Sequence, residues 1–166
     1  MAVRVTQFVS IFLLVLVVGS LWGTWLGLSR SIATLTPETF LEVGHAMIGN
    51  FGPVMPILMP AAVLSTLLSG ILLFRVRPGA AYLTLVGFLF FVGVTLVTVF
   101  GNVPIDNLIR GWTPATLPAD WREARDRWQA LHTVRTFLSL AGLACVLAGS
   151  LLPARRRRRP RGLRSA

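Results

Sequence analysis

Long apolar stretches separated by short polar segments are the main pattern of this chain. Four of them contain no Asp, Glu, Lys or Arg and cover residues 5–29, 43–74, 78–105 and 136–154. Because a helix rises about 1.5 Å per residue, about 20 apolar residues cross a hydrocarbon core of about 30 Å. The pattern predicts an all-α, polytopic membrane protein, a four-transmembrane-helix bundle. The predicted spans cover about residues 7–28, 51–74, 81–101 and 134–152.

Two motifs predict where further helical segments begin. The Thr-Pro-Glu sequence at residues 36–38 has an N-cap, a first-turn proline and a first-turn acid, which are typical of a helix start. It predicts a short interfacial helix over residues 37–49, after span one. The Asp-Trp-Arg-Glu sequence at residues 120–123 has the spacing of a capping box. We therefore expect a fourth helix from about residue 121 to 152, whose first turns extend outside the membrane.

Prolines and a polar motif predict breaks in spans two and three. Pro53, Pro56 and Pro60 lack a backbone donor and crowd the preceding turn, so the first half of span two should be kinked. Such backbone is tolerated in a membrane only beside protein or a watery cavity. Two interpretations stay open, a simple entry kink or one wall of a ligand cavity. Span three should end at residues 102–107, and residues 106–119 should form a loop.

The composition supports a membrane-embedded domain. Of the 166 residues, 54% are hydrophobic and 13% charged, whereas soluble domains have about 25% charged residues. This length fits one four-helix transmembrane domain, residues 1–154, and a basic tail, residues 155–166. The net charge of +10 does not indicate nucleic-acid binding, because the chain has no Lys and seven of its sixteen Arg lie in the tail.

The arginine distribution predicts the orientation. Segments on the side of the two termini contain ten Arg and no acids, whereas segments on the other side contain six Arg and six acids. By the positive-inside rule, both termini should be cytoplasmic, in a protein integral to the cell membrane. The lipid bilayer is thus the expected partner, and residues 155–159 should contact anionic lipid. The oligomeric state stays open.

The predicted fourth helix carries the clearest pattern of functional side chains. Five residues follow spacings of 4, 3, 4 and 3 and share one helical stripe. They are Trp121, Arg125, Trp128, His132 and Arg135. Such a stripe suits a flat, anionic aromatic ligand, since Trp stacks, Arg binds oxyanions and His transfers protons. In the structural alternative, the Arg side chains pair with Asp106, Asp120 and Asp126, and the Trp side chains mark the interface.

A second polar cluster lies at the end of span three. Asn102, Asp106 and Asn107 are expected at the same membrane depth as Arg135. Because an unpaired charge is costly there, Asn102 or Asp106 should lie within hydrogen-bond reach of Arg135 or His132. Two roles stay open for Asp106, part of a structural lock or a general base.

A metal site is a further candidate. Glu38, Glu42 and His45 share a face of the interfacial helix, and with His132 they would supply two carboxylates and two imidazoles. This spacing is not specific for metals, and the chain has no His-Glu-x-x-His or Cys-x-x-Cys motif. We therefore predict no metal, and we expect His45 to be a hydrogen-bonded polar residue at the interface.

Together these motifs resemble those of the anthrone-oxygenase-like membrane family. The matching residues are 36–40, His45, Asn50, 102–107, 120–122, Arg125, Arg127, Trp128, His132 and Arg135. The resemblance implies a small four-helix membrane protein, with His45 and Asn50 among its ligand contacts. A few family members oxidise anthrones to anthraquinones without metal or flavin, so the resemblance implies no cofactor.

Two functions stay open. In the first, the protein is a cofactor-independent oxygenase acting on a lipophilic, anthrone-like aromatic at the outer membrane face. His132 would be the base, and Arg135 and Arg125 would hold the enolate oxygen. Trp128 would form a stacking wall, and Asn102 would orient the substrate. In the second, it is a non-catalytic membrane protein that binds a small ligand or packs on a partner subunit.

A pocket is expected at the outer end of the bundle. Its predicted walls are residues 53–60, residues 102–107 and the lower part of the stripe, Trp128, His132 and Arg135. The segments 37–49 and 106–119 would act as lids over it.

Overall fold

A computed structural model describes residues 1–153, and the predicted basic tail at residues 155–166 lies outside this range. Residues 1–153 are all-helical, as predicted. The α-helices are α1 (Ala2–Thr24), α2 (Pro37–Phe51), α3 (Met55–Phe74), α4 (Pro78–Val97), α5 (Val103–Gly111) and α6 (Trp121–Leu151). A π-helical turn at Trp25–Ser29 extends α1, and another at Thr98–Asn102 joins α4 to α5.

Four helical segments in the described range are long and apolar enough to cross a membrane, which confirms the predicted four-span fold. They are Ala2–Thr34, Met55–Phe74, Pro78–Gly111 and Trp121–Leu151. α1, α3, α4 and α6 pack together as a bundle. Its apolar core includes the fully buried side chains of Leu14, Val17, Phe91 and Val94.

Glycines let α4 and α6 approach closely. A Cβ atom added at Gly87 would lie 2.5 Å from Cγ2 of Val146 and 2.7 Å from the carbonyl oxygen of Gly142. One added at Gly142 would lie 2.9 Å from the ring of Phe91. Small residues have this role where helices pack in membranes. The close α4–α6 contact fixes the depth of the side chains that α6 presents to the bundle.

The two ends of the bundle differ. At the end that holds residue 1, Val3 packs on Leu73, and Arg77 donates to the carbonyl oxygen of Ser150 over 3.2 Å. At the opposite end, α2, α5 and the start of α6 form a second apolar core, named here the distal cap. It buries Ile32, Phe40, Leu41, Ile105, Ile109 and Trp121. The distal end is therefore a packed layer rather than a set of open loops.

The predicted end of span three is wrong. The helix continues through Thr98–Asn102 and α5 as far as Gly111, so the loop is confined to residues 112–120. Pro104 has no backbone donor and would crowd the preceding turn of a regular helix. The π-helical turn directly before it changes the hydrogen-bond pattern, which lets the chain stay helical.

The prolines of span two break the chain more sharply than a kink would. α2 extends to Phe51, Pro53 lies in a turn, and α3 begins at Met55 instead of residue 51. Pro56 is in the first turn of α3, where its missing donor has no helical partner to lose. Pro60 lies inside α3.

The two predicted helix starts have different caps. Thr36 caps α2 as predicted, because its Oγ1 accepts from the backbone nitrogen of Thr39 over 3.3 Å. α6 begins at Trp121 as expected, but the side chain of Asp120 makes no capping hydrogen bond within the described chain. The long fourth helix is thus confirmed, whereas its capping box is not formed.

Candidate functional site

A cavity of about 470 Å³ lies between the bundle and the distal cap. Small-molecule sites commonly have volumes of about 300–1,000 Å³. All three predicted walls contribute to its lining. They are Pro56 and Pro60 of α3, Asp106 and Asn107 of α5, and Trp128, His132 and Arg135 of α6. The predicted meeting of these three walls at one pocket is therefore confirmed, and α2 contributes to the pocket through Met47 and Ile48.

The cavity has an apolar part and a polar part. Met47, Met55 and Met59 belong to the apolar part, and methionine side chains adapt readily to flat ligands. The polar part includes hydroxyl groups of α1 and α4, from Ser20, Thr24 and Thr95. Its other members come from the π-helical turn, α5 and α6, and they are Thr98, Asp106, Asn107, Arg110, His132 and Arg135. This division suits a ligand with an aromatic body and oxygen substituents.

Trp128, His132 and Arg135 form one connected group on α6. The rings of Trp128 and His132 stack, with centroids 4.9 Å apart and planes inclined by 12°. Nε and Nη2 of Arg135 donate to Nδ1 of His132 over 3.2 and 3.1 Å. Nη1 of Arg135 donates to Oγ1 of Thr98 over 3.2 Å. Arg135 thus uses three of its five N–H groups within the protein.

The contacts of Arg135 define the tautomer of His132. A guanidinium only donates hydrogen bonds, so Nδ1 of His132 must present its lone pair. The proton of the neutral imidazole then lies on Nε2. Nε2 is buried beside the backbone of Leu21 without a hydrogen bond of good geometry among residues 1–153, and only 1% of His132 is exposed. In this arrangement His132 is a hydrogen-bond donor, which argues against its predicted role as the base.

Asp106 and Asn102 bind Trp128 rather than the residues predicted to be their partners. Oδ1 of Asp106 accepts from Nε1 of Trp128 over 2.7 Å. Nδ2 of Asn102 donates to the carbonyl oxygen of Trp128 over 3.1 Å. No hydrogen bond joins Asn102 or Asp106 to Arg135 or His132 among the described residues, although Asp106 and Arg135 line the same cavity and their charges attract each other. The π-helical turn explains this, since it brings Thr98 to the level of Arg135.

Arg110 and Thr98 line the cavity but were not predicted site residues. Because α5 is helical, Asp106 and Arg110 lie one turn apart on the same face. A signal for α5 was present: Pro104 and Asp106 occupy the first turn in the same manner as Pro37 and Glu38 of α2. Thr98 has no comparable signal in the sequence.

The upper part of the predicted stripe belongs to the distal cap. Trp121 packs on Phe40 with centroids 5.0 Å apart, and the guanidinium of Arg125 lies 5.2 Å from the Trp121 ring centroid. Arg125 also pairs with Asp126 over 2.8 Å. Neither Trp121 nor Arg125 lines the cavity. For these two residues the structural alternative is the better description.

The structure places His45 and Asn50 outside the cavity lining, and Asn102 is buried behind it. Nε2 of His45 hydrogen-bonds the carbonyl oxygen of Ile109 over 2.9 Å, which ties α2 to α5 and confirms its predicted polar role. Asn50 is exposed near the end of α2. Residues 1–153 contain no group of three or more His, Cys, Asp or Glu side chains able to hold a metal ion.

Fold and site together define a four-span helical bundle with a capped, partly polar cavity at one end. The family model described as anthrone oxygenase matches residues 52–145, more than half of the chain. The chain therefore belongs to the anthrone oxygenase family. The match contains the cavity walls from α3, α5 and α6, whereas His45 and Asn50 precede it. No curated protein and no solved structure matches the chain.

Proposed function

We propose that this protein is a cofactor-independent oxygenase that converts a lipophilic, anthrone-like aromatic into the corresponding quinone. The observation that supports it most is the meeting of a carboxylate, an imidazole donor and a guanidinium in one cavity. Hydrogen bonds hold Asp106 to Trp128, His132 to Arg135, and Arg135 to Thr98. Membership of the anthrone oxygenase family supplies the substrate class.

Asp106 is the base in this proposal. The methylene group of an anthrone is acidic because its carbanion is an aromatic enolate. One carboxylate oxygen of Asp106 holds the indole N–H of Trp128, which leaves the other for the substrate C–H. The remaining N–H groups of Arg135 then bind the enolate oxygen, and a shift of the side chains around the buried Nε2–H of His132 on substrate entry adds this donor to the same oxygen. The Trp128 ring is the stacking wall.

The reaction balances with molecular oxygen as the oxidant. The carbanion gives one electron to O₂, and the two radicals combine to form a C–O bond. The peroxide takes the proton that Asp106 removed, which regenerates the carboxylate. Loss of water, with the second hydrogen of the same carbon, leaves a carbonyl group. One anthrone and one O₂ thus yield one anthraquinone and one water.

The proposed orientation places the distal cap outside the cell and both termini in the cytoplasm of a cell-membrane protein. It is supported by the arginine asymmetry, ten Arg and no acids against six Arg and six acids. In this orientation, the cavity lies near the outer face, where a lipophilic substrate partitions between membrane and water.

The test is turnover by the purified protein in nanodiscs. With anthrone as substrate, we expect one O₂ consumed per anthraquinone formed. Asp106→Asn keeps an oxygen for Trp128 but is not a base, so the rate should fall by about 10²–10⁴-fold. Asp120→Asn is the matched control, since Asp120 is exposed and outside the cavity, and it should retain wild-type turnover. Unchanged turnover in Asp106→Asn would refute Asp106 as the base.

A non-catalytic binding protein is the second candidate. The two hydrogen bonds of Trp128, named here the Trp128 lock, support it, because the bonds to Asp106 and Asn102 would hold the helices together in the absence of any reaction. Tight binding of anthrone by the wild-type protein with no O₂ uptake would favour this candidate over the oxygenase.

A further inference from the structure

Arg110 is a cavity residue to which the proposed reaction assigns no role. It lies in the last turn of α5 and is exposed at the cavity. Its Nη2 lies 3.8 Å from the position that a Cβ atom would take at Gly52. The guanidinium therefore reaches from α5 to the turn between α2 and α3, across the cavity edge.

The charge of Arg110 is not neutralised by an ion pair within the described chain. Asp106 lies one turn before it, close enough for the two charges to attract each other, but the two make no ion pair and the hydrogen bond of Asp106 goes to Trp128. The ion pair found among residues 1–153 joins Arg125 to Asp126 instead. Asn107, next to Asp106, lines the cavity on the same exposed edge. The edge thus offers a guanidinium and a side-chain amide to a ligand.

We propose that Arg110 and Asn107 form an acid-recognition subsite for a carboxylate on the aromatic ligand. A guanidinium binds a carboxylate through two parallel N–H bonds, and the Asn107 amide adds a donor. Asp106 would repel a carboxylate placed deeper, so the acid group faces the edge while the ring body contacts the methionines. This rests on the proposed function and narrows its substrates to anthrones that carry an acidic substituent.

Binding of two matched probes tests the subsite without requiring turnover. Anthraquinone-2-carboxylate and the neutral anthraquinone-2-carboxamide are titrated into protein held in phosphatidylcholine nanodiscs. The wild-type protein should prefer the carboxylate. Arg110→Gln should weaken carboxylate binding by about tenfold or more, because bonds to charged groups are the strong ones. Carboxamide binding should change by less than about twofold. The carboxylate affinity of Arg110→Lys should lie between those of the wild-type protein and Arg110→Gln, because lysine keeps the positive charge but cannot donate two parallel N–H bonds.

Arg127→Gln is the control for surface charge. Arg127 is exposed on α6 and does not line the cavity, so this variant should bind both probes like the wild-type protein. Equal wild-type affinity for the two probes would overturn the subsite, as would an equal loss of both in Arg110→Gln. Carboxylate selectivity without O₂ uptake would count against the oxygenase and leave the subsite standing.

Discussion

Arg135 determines what His132 can do. Its guanidinium occupies Nδ1 of the ring, which leaves only Nε2–H for a ligand. His132 is stacked on Trp128 and buried, so the ring has little freedom to turn. The role of the histidine is therefore set by its neighbour three residues later on the same helix.

The donor role predicts a difference between two substitutions of His132. In His132→Asn, the side-chain oxygen can accept from Arg135 near the Nδ1 position, but no donor lies at the Nε2 position. Turnover should therefore fall by about 10²–10³-fold. In His132→Gln, the longer side chain brings its amide to the Nε2 position, so this variant should retain more activity than His132→Asn. Steady-state O₂ uptake measures both, with Arg127→Gln, an exposed position outside the cavity, as the control. Equal inactivity of the two variants would point back to His132 as a base.

Removal of Arg135 should affect activity and stability together. Arg135→Ala takes away the donors to His132 and Thr98 and leaves their buried acceptors unsatisfied. Each such loss costs about 1–3 kcal/mol. Thermal unfolding and O₂ uptake should both show the defect. A variant with full stability and lost turnover would mean that Arg135 acts on the substrate alone.

At the scale of the elements, one tryptophan joins two helices. Trp128 of α6 donates to Asp106 of α5, and its carbonyl oxygen accepts from Asn102 at the end of the π-helical turn. These two hydrogen bonds hold the π-helical turn and α5 in one arrangement against α6. The same contacts hold Asp106 at the cavity, so the base is positioned by the packing of the helices.

Trp128→Phe tests how much the hydrogen bond between Trp128 and Asp106 stabilises the protein. It keeps an aromatic ring beside His132 but removes the N–H that binds Asp106, and a hydrogen bond to a charged group is worth about 1.5–3 kcal/mol. We expect a stability loss of that size in thermal or denaturant unfolding. Trp112→Phe is the control, because the Trp112 side chain packs on the distal cap and makes no hydrogen bond within residues 1–153. Equal stability of the two variants would argue against the lock.

The contact between α4 and α6 predicts opposite results for two glycines of α4. A methyl group at Gly87 would overlap Val146 and Gly142, so Gly87→Ala should destabilise the bundle by about 1–3 kcal/mol. A Cβ atom at Gly93 meets nothing within 4 Å, and Gly93→Ala should be neutral or stabilising by about 0.5–1 kcal/mol. Unfolding of the two variants side by side is the measurement, and a tolerated Gly87→Ala would contradict the close packing.

The sequence was sufficient for the features that depend on helical periodicity. Spacings of 3 and 4 predicted the shared face of Trp128, His132 and Arg135, and apolar length predicted the four spans. The place of Arg125 depends on the segment before α2, where the carbonyl oxygen of Ala33 accepts from Nη1 of Arg125, and no local pattern records this contact. The hydrogen-bond partner of Arg135 depends on a π-helical turn, and apolar periodicity does not distinguish that turn from a regular one.

At the scale of the whole molecule, the bundle has two chemically different ends. The distal end holds the cavity and its cap, and the opposite end holds residue 1 and the turn at Arg77. All six acids of the chain belong to segments on the distal side. This asymmetry is the basis of the proposed orientation.

Cysteine labelling tests the orientation. In a Cys145→Ser background, which has no other cysteine, Asp120→Cys should react with an impermeant maleimide on intact cells. Val76→Cys, in an exposed turn at the other end of the bundle, should react only after lysis. The opposite pattern would reverse the proposed topology.

The π-helical turn at Thr98–Asn102 makes the site depend on the number of residues as well as on their kinds. A regular helix advances about 100° and 1.5 Å per residue. A π-helical turn holds about one residue more than a regular turn. The loss of Val99 is therefore absorbed when the turn becomes regular, and α5 continues to present Asp106 to the indole of Trp128. An inserted residue after Val99 has no such outlet, so it would rotate all of α5 by about 100° and carry the carboxylate of Asp106 away from Trp128. The turn thus makes the site more tolerant of a lost residue than of a gained one.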